Sequence, residues 1–126
     1  NVRKIVLCSG KVYYDLLAER RKREITDIAI IRLEQLYPFP AKEYEACLLR
    51  YPNVEKITWS QEEPKNQGAW TFIEPNIEWV LTRIGAKYSR PAYVGRATSA
   101  SPATGLASIH KSQQAALVDE ALTLKG

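Results

Sequence analysis

The sequence predicts an α/β fold, namely a three-layer α/β/α sandwich around a mainly parallel sheet. Short apolar runs alternate along the chain with longer segments in which apolar residues recur every three or four positions. A continuous apolar run is typical of a strand that is covered on both faces, and parallel strands need a crossover connection between them. The chain contains no internal repeat or low-complexity linker, so residues 1–126 are expected to form a single domain.

The first predicted strand covers residues 4–8, an apolar run rich in β-branched residues that leads into a turn at Gly10. Residues 11–23 follow, with apolar residues at helical spacing and charged residues elsewhere, as in an amphipathic helix. Residues 28–31 are all apolar and form the second predicted strand. This order of elements is that of a parallel sheet covered by helices.

The middle of the chain contains a short helix and the third strand. Pro38 and Pro40 stop regular structure first, because proline lacks a backbone N–H. Residues 42–50 are then predicted to be helical. Residues 56–60 form the third strand, which is expected to end where the polar residues 61–63 begin.

The last part of the chain is predicted to contain two helices and one strand. Residues 68–84 carry apolar side chains at every third or fourth position, and Pro75 predicts a kink there or two shorter helices. Residues 91–95 form the fourth strand. A loop of small residues, 96–105, then leads to a final helix from about residue 108 to residue 124.

The composition argues against several classes of protein. The chain is 45% hydrophobic and 25% charged, which is typical of a soluble globular domain. No apolar run approaches the roughly 20 residues that span a bilayer, and no secretory leader is recognised, so no membrane partner and a cytoplasmic or other reducing compartment are expected. Part of the net charge of +4 lies in the basic run 20–23, interpreted as a solvated helix end rather than a nucleic-acid-binding surface.

Single residue types add three expectations. Cys8 and Cys47 are interpreted as buried thiols rather than as a disulfide or metal ligands, since each lies in an apolar segment. His110 has no second histidine to accompany it, so a surface or interface role is expected and no metal site is predicted. The chain contains no methionine, which predicts that it is excised from a longer polypeptide.

The polar segment 61–68 is the first candidate site. Glu62 and Glu63 invite an acid–base interpretation, but adjacent residues of a strand point to opposite faces, so the two carboxylates do not form a pair on sequence alone. The structural interpretation is favoured: Asn66 or Gln67 caps the following helix, while the carboxylates hold backbone amides or an arginine.

The loop 96–105 is the second candidate site. Arg96, the hydroxyls of Ser99 and Ser101, and the helix start that follows are groups that an anion requires. The loop matches neither the Gly-x-Gly-x-x-Gly nor the Walker A pattern. Two interpretations therefore stand beside each other, an anion-binding loop and a tightly packed loop of small residues.

Two long motifs carry a family resemblance. Residues 59–70, WSQEEPKNQGAW, and residues 93–105, YVGRATSASPATG, occur in the order found near the C-terminus of bacterial 2-oxoglutarate dehydrogenase E1 components, which they closely resemble. Residues 32–39 resemble the strand-to-helix passage in the C-terminal domains of thiamine-dependent E1 and transketolase enzymes. Thr98 departs from the motif of this family, since many relatives carry a different small residue at that position.

The resemblance implies a transketolase-type C-terminal domain of an E1 subunit. The full enzyme of this family oxidatively decarboxylates 2-oxoglutarate on thiamine diphosphate with Mg²⁺ and transfers the succinyl group to the lipoyl arm of E2, in the citric acid cycle. Its cofactor sites lie in the two preceding domains, and no Gly-Asp-Gly sequence for such a site occurs here. No residue of the chain is therefore assigned as catalytic or cofactor-binding, and the isolated domain is expected to be inactive.

The resemblance also implies partners and candidate contacts. The partners are the remaining E1 domains, a second E1 subunit in a homodimer, and E2 and E3, in the bacterial cytoplasm or the mitochondrial matrix. In some actinobacterial relatives this domain helps to form an acetyl-CoA regulatory site. By that analogy, the anion contacts are Lys65, Arg96, Ser99 and Ser101, and the interdomain or structural contacts are Glu62, Asn66 and Gln67. The alternative is a stand-alone nucleotide- or coenzyme A-binding module.

Overall fold

A computed structural model describes residues 2–33, 41–51, 54–66, 68–85, 91–96 and 107–123. Within these residues, four strands alternate with four helices in the order β1 (Lys4–Cys8), α1 (Val12–Lys22), β2 (Ile28–Arg32), α2 (Ala41–Leu49), β3 (Lys56–Pro64), α3 (Trp70–Arg83), β4 (Ala92–Arg96) and α4 (Ala107–Ala121). The alternation confirms the predicted α/β class. None of the helices in these ranges is long and apolar enough to cross a membrane.

The strands form one parallel sheet in the order β2-β1-β3-β4. β1 lies between β2 and β3, so that Lys4 is opposite both Ile28 and Lys56. All five residues of β1 are buried, as expected for an inner strand of a parallel sheet. Because β2 and β3 lie on opposite sides of β1, the sheet has a topological switch point between the carboxyl ends of β1 and β3, where ligands gather in open α/β folds.

Helices cover both faces of the sheet, which confirms the three-layer prediction. On one face, α2 and α3 pack through a cluster of buried side chains from Ile5, Leu7, Leu33, Leu48, Val54, Ile57, Trp59, Trp70, Ile73, Ile77, Val80 and Leu81. On the other face, α1 and α4 pack through a second cluster, from Val6, Cys8, Val12, Leu16, Ile28, Val94, Leu117, Val118, Ala121 and Leu122. Successive residues of β1 thus enter the two clusters in turn, which explains its continuous apolar sequence.

The third strand is longer than its apolar pattern predicts. It continues through the polar residues to Pro64, whereas the pattern predicts an end at Ser60. The extension is paired with β4: Gln61 lies opposite Gly95 and Pro64 opposite Arg96, with an irregular register between these two pairs. Pairing with a neighbouring strand therefore outweighs the low β-propensity of this segment.

The third helix is continuous through Pro75, so the expectation of two shorter helices is wrong. Its buried face runs unbroken past the proline, from Trp70 to Leu81, and Pro75 itself is on the exposed side. The side chain of Asn76 donates a hydrogen bond to the carbonyl of Phe72 over 2.7 Å. Packing of the apolar face holds the helix together across the residue that lacks an N–H.

The end of α1 explains its basic run. Glu24 follows the helix with a positive φ of 54°, and the Ile25 N–H donates to the carbonyl of Arg20, as in a Schellman motif. Arg20 Nε donates to the carbonyl of Ile28 over 2.7 Å. Arg23 pairs with Glu19 at 2.8 Å and with Asp119 of α4 at 2.9 Å. Two arginines of the run thus bind groups inside the domain.

Candidate functional site

The carboxyl end of β3 contains a buried carboxamide that joins the strand to the next helix. Gln61 is 1% exposed. Its Oε1 accepts hydrogen bonds from Trp59 Nε1 at 2.9 Å and from the backbone N–H of Trp70 at 3.1 Å. Its Nε2 donates to the carbonyl of Glu63 at 3.1 Å. We call Trp59, Gln61, Gly68, Trp70 and Gly95 the Gln61 junction.

The Gln61 junction replaces the helix cap that the sequence suggests. Ala69 is the N-cap residue of α3, and its position has no side-chain capping bond. Gln61 instead satisfies the N–H of Trp70, one of the four amides that a helix start leaves without an intrahelical acceptor. The prediction that Asn66 caps α3 is therefore wrong, because the helix begins four residues later and a buried strand residue supplies the acceptor. Gln67 lies outside the described residues.

Two glycines allow the close approach of chain segments at the junction. Gly68 has a φ of +69°, and a methyl group there would lie 3.1 Å from both Gln61 Oε1 and Glu63 Oε1. At Gly95, a methyl group would lie 2.8 Å from the carbonyl oxygen of Gln61 and 2.5 Å from the hydroxyl of Tyr93. These distances exclude a side chain at Gly95 unless the backbone of β3 or β4 moves.

Lys65 lies at the exposed rim of the junction. Its Nζ is 5.5 Å from the ring centroid of Tyr93, a cation–π distance. The Tyr93 ring packs against Trp70 with centroids 5.3 Å apart, and its hydroxyl donates to the carbonyl of Glu63 at 3.3 Å. Trp70 is buried, as the sequence predicts. The structure therefore leaves the Lys65 ammonium at the surface, while its role as an anion contact stays a prediction.

Glu62 connects β3 to the two helices on the opposite side of the sheet. Gln114 Nε2, from α4, donates to Glu62 Oε1 at 3.0 Å and to Asp15 Oδ2, from α1, at 2.8 Å. Glu63 instead lies beside Gly68. The two adjacent carboxylates thus contact different parts of the domain, as expected for neighbouring strand residues. Their arrangement does not provide a carboxylate pair for acid–base chemistry.

Sequence reasoning included Gln61 in the first candidate site without assigning it a role, and it missed Asp15 and Gln114 as members of this region. Asp15 and Gln114 are 99 residues apart in the chain, and no local pattern links them. Gln61 stood inside the recognised motif, but its burial depends on β4 and α3. The remaining candidate contacts, namely the side chain of Arg96 together with Ser99 and Ser101, lie outside the described residues and stay predictions, as does the role of His110.

Cys8 does not have the environment of a nucleophile. Cys8 and Cys47 are both free thiols. Cys8 is buried, which confirms its prediction, and burial raises the pKa of its thiol to about 12, although Arg32 on the neighbouring strand acts in the opposite direction. A thiol with such a pKa is protonated at neutral pH and is a poor nucleophile. Cys47 is only half-buried. Across the described ranges, no group of three His, Cys, Asp or Glu side chains could hold a metal ion.

Comparison with known proteins identifies close relatives of the whole chain. The family model described as "2-oxoglutarate dehydrogenase C-terminal" matches residues 1–122. Three bacterial proteins are each 57% identical to this chain over 121 residues, namely the 2-oxoglutarate dehydrogenase E1 components of Brucella anthropi, Brucella ovis and Brucella canis. The aligned region covers 96% of this chain and 12% of each relative, so the chain spans about one eighth of their length.

Proposed function

Because the chain belongs to the 2-oxoglutarate dehydrogenase C-terminal family, we propose that it is an architectural domain of an E1 component and contributes subunit contacts rather than catalytic groups. The observation that carries this proposal is the Gln61 junction. In the most distinctive motif of the sequence, the buried carboxamide joins β3 to α3 through three hydrogen bonds to groups of the domain itself. This polar group of the motif thus supports the fold.

The complete E1 component, in this proposal, oxidatively decarboxylates 2-oxoglutarate and passes a succinyl group to the lipoyl arm of E2, with E3 as a further partner. Thiamine diphosphate would supply the carbanion chemistry, with Mg²⁺. Among the described residues, no group of three His, Cys, Asp or Glu side chains could hold a metal ion. We propose, from the family resemblance, that both cofactor sites lie in the preceding domains of the E1 polypeptide. The bacterial relatives support a location in the cytoplasm.

The exposed face of α2 and α3 supports the proposal of a subunit contact. Trp79 is 53% exposed and Leu49 is 61% exposed. Arg83 lies over the Trp79 ring at 5.2 Å and forms an ion pair with Glu45 of α2 at 3.1 Å, so the arginine beside the exposed ring connects the two helices. Tryptophan and arginine are enriched at the energetic centres of protein interfaces. We propose that this face contacts the second E1 subunit.

An effector site is the finer and separate part of the proposal. Lys65 is an exposed cation just after the carboxyl end of β3. Arg96 is the last residue of β4, which pairs with β3. Together with Ser99 and Ser101, these residues are proposed to contact an anionic effector such as a coenzyme A ester. The site would lie at the sheet edge where ligands bind in open α/β folds.

A substitution in the E1 dimer tests the subunit contact. The chain is placed in Brucella anthropi E1 in exchange for the matching segment, and Trp79→Asp is compared with Tyr14→Asp, a 57% exposed aromatic residue on the opposite helical layer. We expect Trp79→Asp to raise the dimer dissociation constant by about tenfold or more, because a charge would lie in the contact. Sedimentation analysis measures it. Equal dissociation constants for the two variants would contradict the assignment of this face.

A further inference from the structure

The first residue of β1 closes the end of the last helix. The Lys4 side chain is fully buried, and its Nζ donates to the carbonyl of Thr123 at 2.7 Å and to that of Glu120 at 3.4 Å. A helix end presents carbonyls without intrahelical donors and carries a partial negative charge. The Lys4 side chain supplies N–H donors in either protonation state, and its ammonium form also supplies the opposite charge. It therefore attaches the end of α4 to the inner strand of the sheet.

The charged groups around Lys4 are of both signs. Lys56 is its partner on β3, and this like charge disfavours the ammonium form. On α4, Glu120 favours the ammonium form, and the neighbouring Asp119 is bonded to Arg23. The partner of Lys4 on β2 is the apolar Ile28.

The chain segments beside the strand ends supply the remaining charges. Arg3 and Glu55 form an ion pair with each other at 2.6 Å. The carbonyl of Asp27 accepts the backbone N–H of Lys4. Burial is the largest influence on the side chain and, together with Lys56, lowers the pKa of Lys4 to about 8 from 10.5.

We propose that Lys4 is a proton-sensitive latch, which lets the C-terminal end of α4 open more readily when its side chain is protonated. Opening returns the side chain to water, and the charged form gains more from hydration than the neutral form does. A neutral amine keeps N–H donors, so the bond to the Thr123 carbonyl survives deprotonation. The latch is therefore tighter above the pKa of the buried group. This inference is independent of the function proposed above.

The direction in which pH changes the opening equilibrium follows from proton linkage. Opening of α4 removes the burial that lowers the pKa of Lys4, so this pKa is higher in the open form than in the closed form, where it is about 8. Between these values the open form binds more protons, so a rise in pH favours the closed form. Below the lower value both forms are protonated, and the equilibrium does not change with pH. The residues that opening exposes include Ala121, the last residue of α4, and Leu122, both of which pack in the second apolar cluster.

Hydrogen exchange of the 126-residue chain tests the latch. The backbone N–H of Leu122, which donates to the carbonyl of Val118 at 3.1 Å, reports opening after correction for the intrinsic exchange rate. We expect the opening constant to fall about tenfold between pH 7 and pH 9. Lys4→Met keeps a long apolar stem and removes the titrating group, so its opening constant should not change with pH. An unchanged opening constant in the wild type, or the same fall in Lys4→Met, would overturn the proposal.

A direct titration keeps the proposal testable if Lys4→Met does not fold. The chemical shift of the Lys4 side chain in the wild-type chain is measured by NMR as a function of pH. We expect the midpoint of this titration close to pH 8, well below that of an exposed lysine. Lys56→Met removes the neighbouring like charge and should move this midpoint upward. A wild-type midpoint near 10.5 would rule out the latch.

Discussion

Gln61→Leu is expected to lower the free energy of unfolding by roughly 3–5 kcal/mol. Leucine has a similar size but no acceptor, so Trp59 Nε1 and the backbone N–H of Trp70 would each be left buried without a partner. Each such orphaned donor costs about 1–3 kcal/mol. The carbonyl of Glu63 also loses the bond from Gln61 Nε2 but keeps the one from the Tyr93 hydroxyl. Urea denaturation followed by circular dichroism measures the loss.

The control for Gln61→Leu is the same substitution at an exposed site. Gln113, on α4, is exposed, and its replacement by leucine should change stability by less than about 1 kcal/mol. Tryptophan fluorescence adds a second readout, because Trp59 and Trp70 both contact the Gln61 carboxamide. If Gln61→Leu were as stable as Gln113→Leu, the Gln61 junction would not have the structural role assigned to it.

Gly95→Ala is expected to destabilise the domain by about 3 kcal/mol. The added methyl group would lie 2.8 Å from the carbonyl oxygen of Gln61, which belongs to the backbone of the paired strand. That carbonyl cannot withdraw without disturbing the pairing of β3 with β4. Thermal and urea unfolding of the variant measure the loss.

A second substitution relieves part of the clash at Gly95. Tyr93→Phe removes the hydroxyl that would lie 2.5 Å from the new methyl group but leaves the ring carbon Cζ and the carbonyl oxygen of Gln61, each at 2.8 Å. The double variant should therefore regain only part of the lost stability, about 1 kcal/mol. Wild-type stability in Gly95→Ala alone would show that the two strands do not pack as closely as described.

The fold could be predicted from the sequence wherever one local pattern determined an element. The strand β1 is an example: its two faces enter different apolar clusters, so its sequence is continuously apolar and short. The end of β3 is the opposite case. Residues after Ser60 are polar, and they become strand only because β4 pairs with them and because Gln61 is satisfied by groups of α3 and β3.

The site was less predictable than the fold, since its contacts join distant parts of the chain. The sequence motif around Gln61 identified the region and the family, but it did not show which of its polar residues is buried. The hydrogen bond between Gln114 and Glu62 joins residues 52 positions apart in the chain, and the bond between Lys4 and Thr123 joins residues 119 positions apart. A lysine at the start of an apolar run is usually exposed, and only the position of α4 shows that Lys4 caps a helix.

Exchange of the domain within an E1 component tests the central claim most directly. Three proteins are compared for turnover of 2-oxoglutarate with thiamine diphosphate and Mg²⁺: Brucella anthropi E1 carrying this chain in exchange for the matching segment, the same E1 without that segment, and the isolated 126-residue chain. We predict turnover by the first protein only, because the chain completes the architecture and the catalytic groups lie elsewhere. Turnover by the isolated chain, or a folded and dimeric exchange protein without activity, would contradict the account.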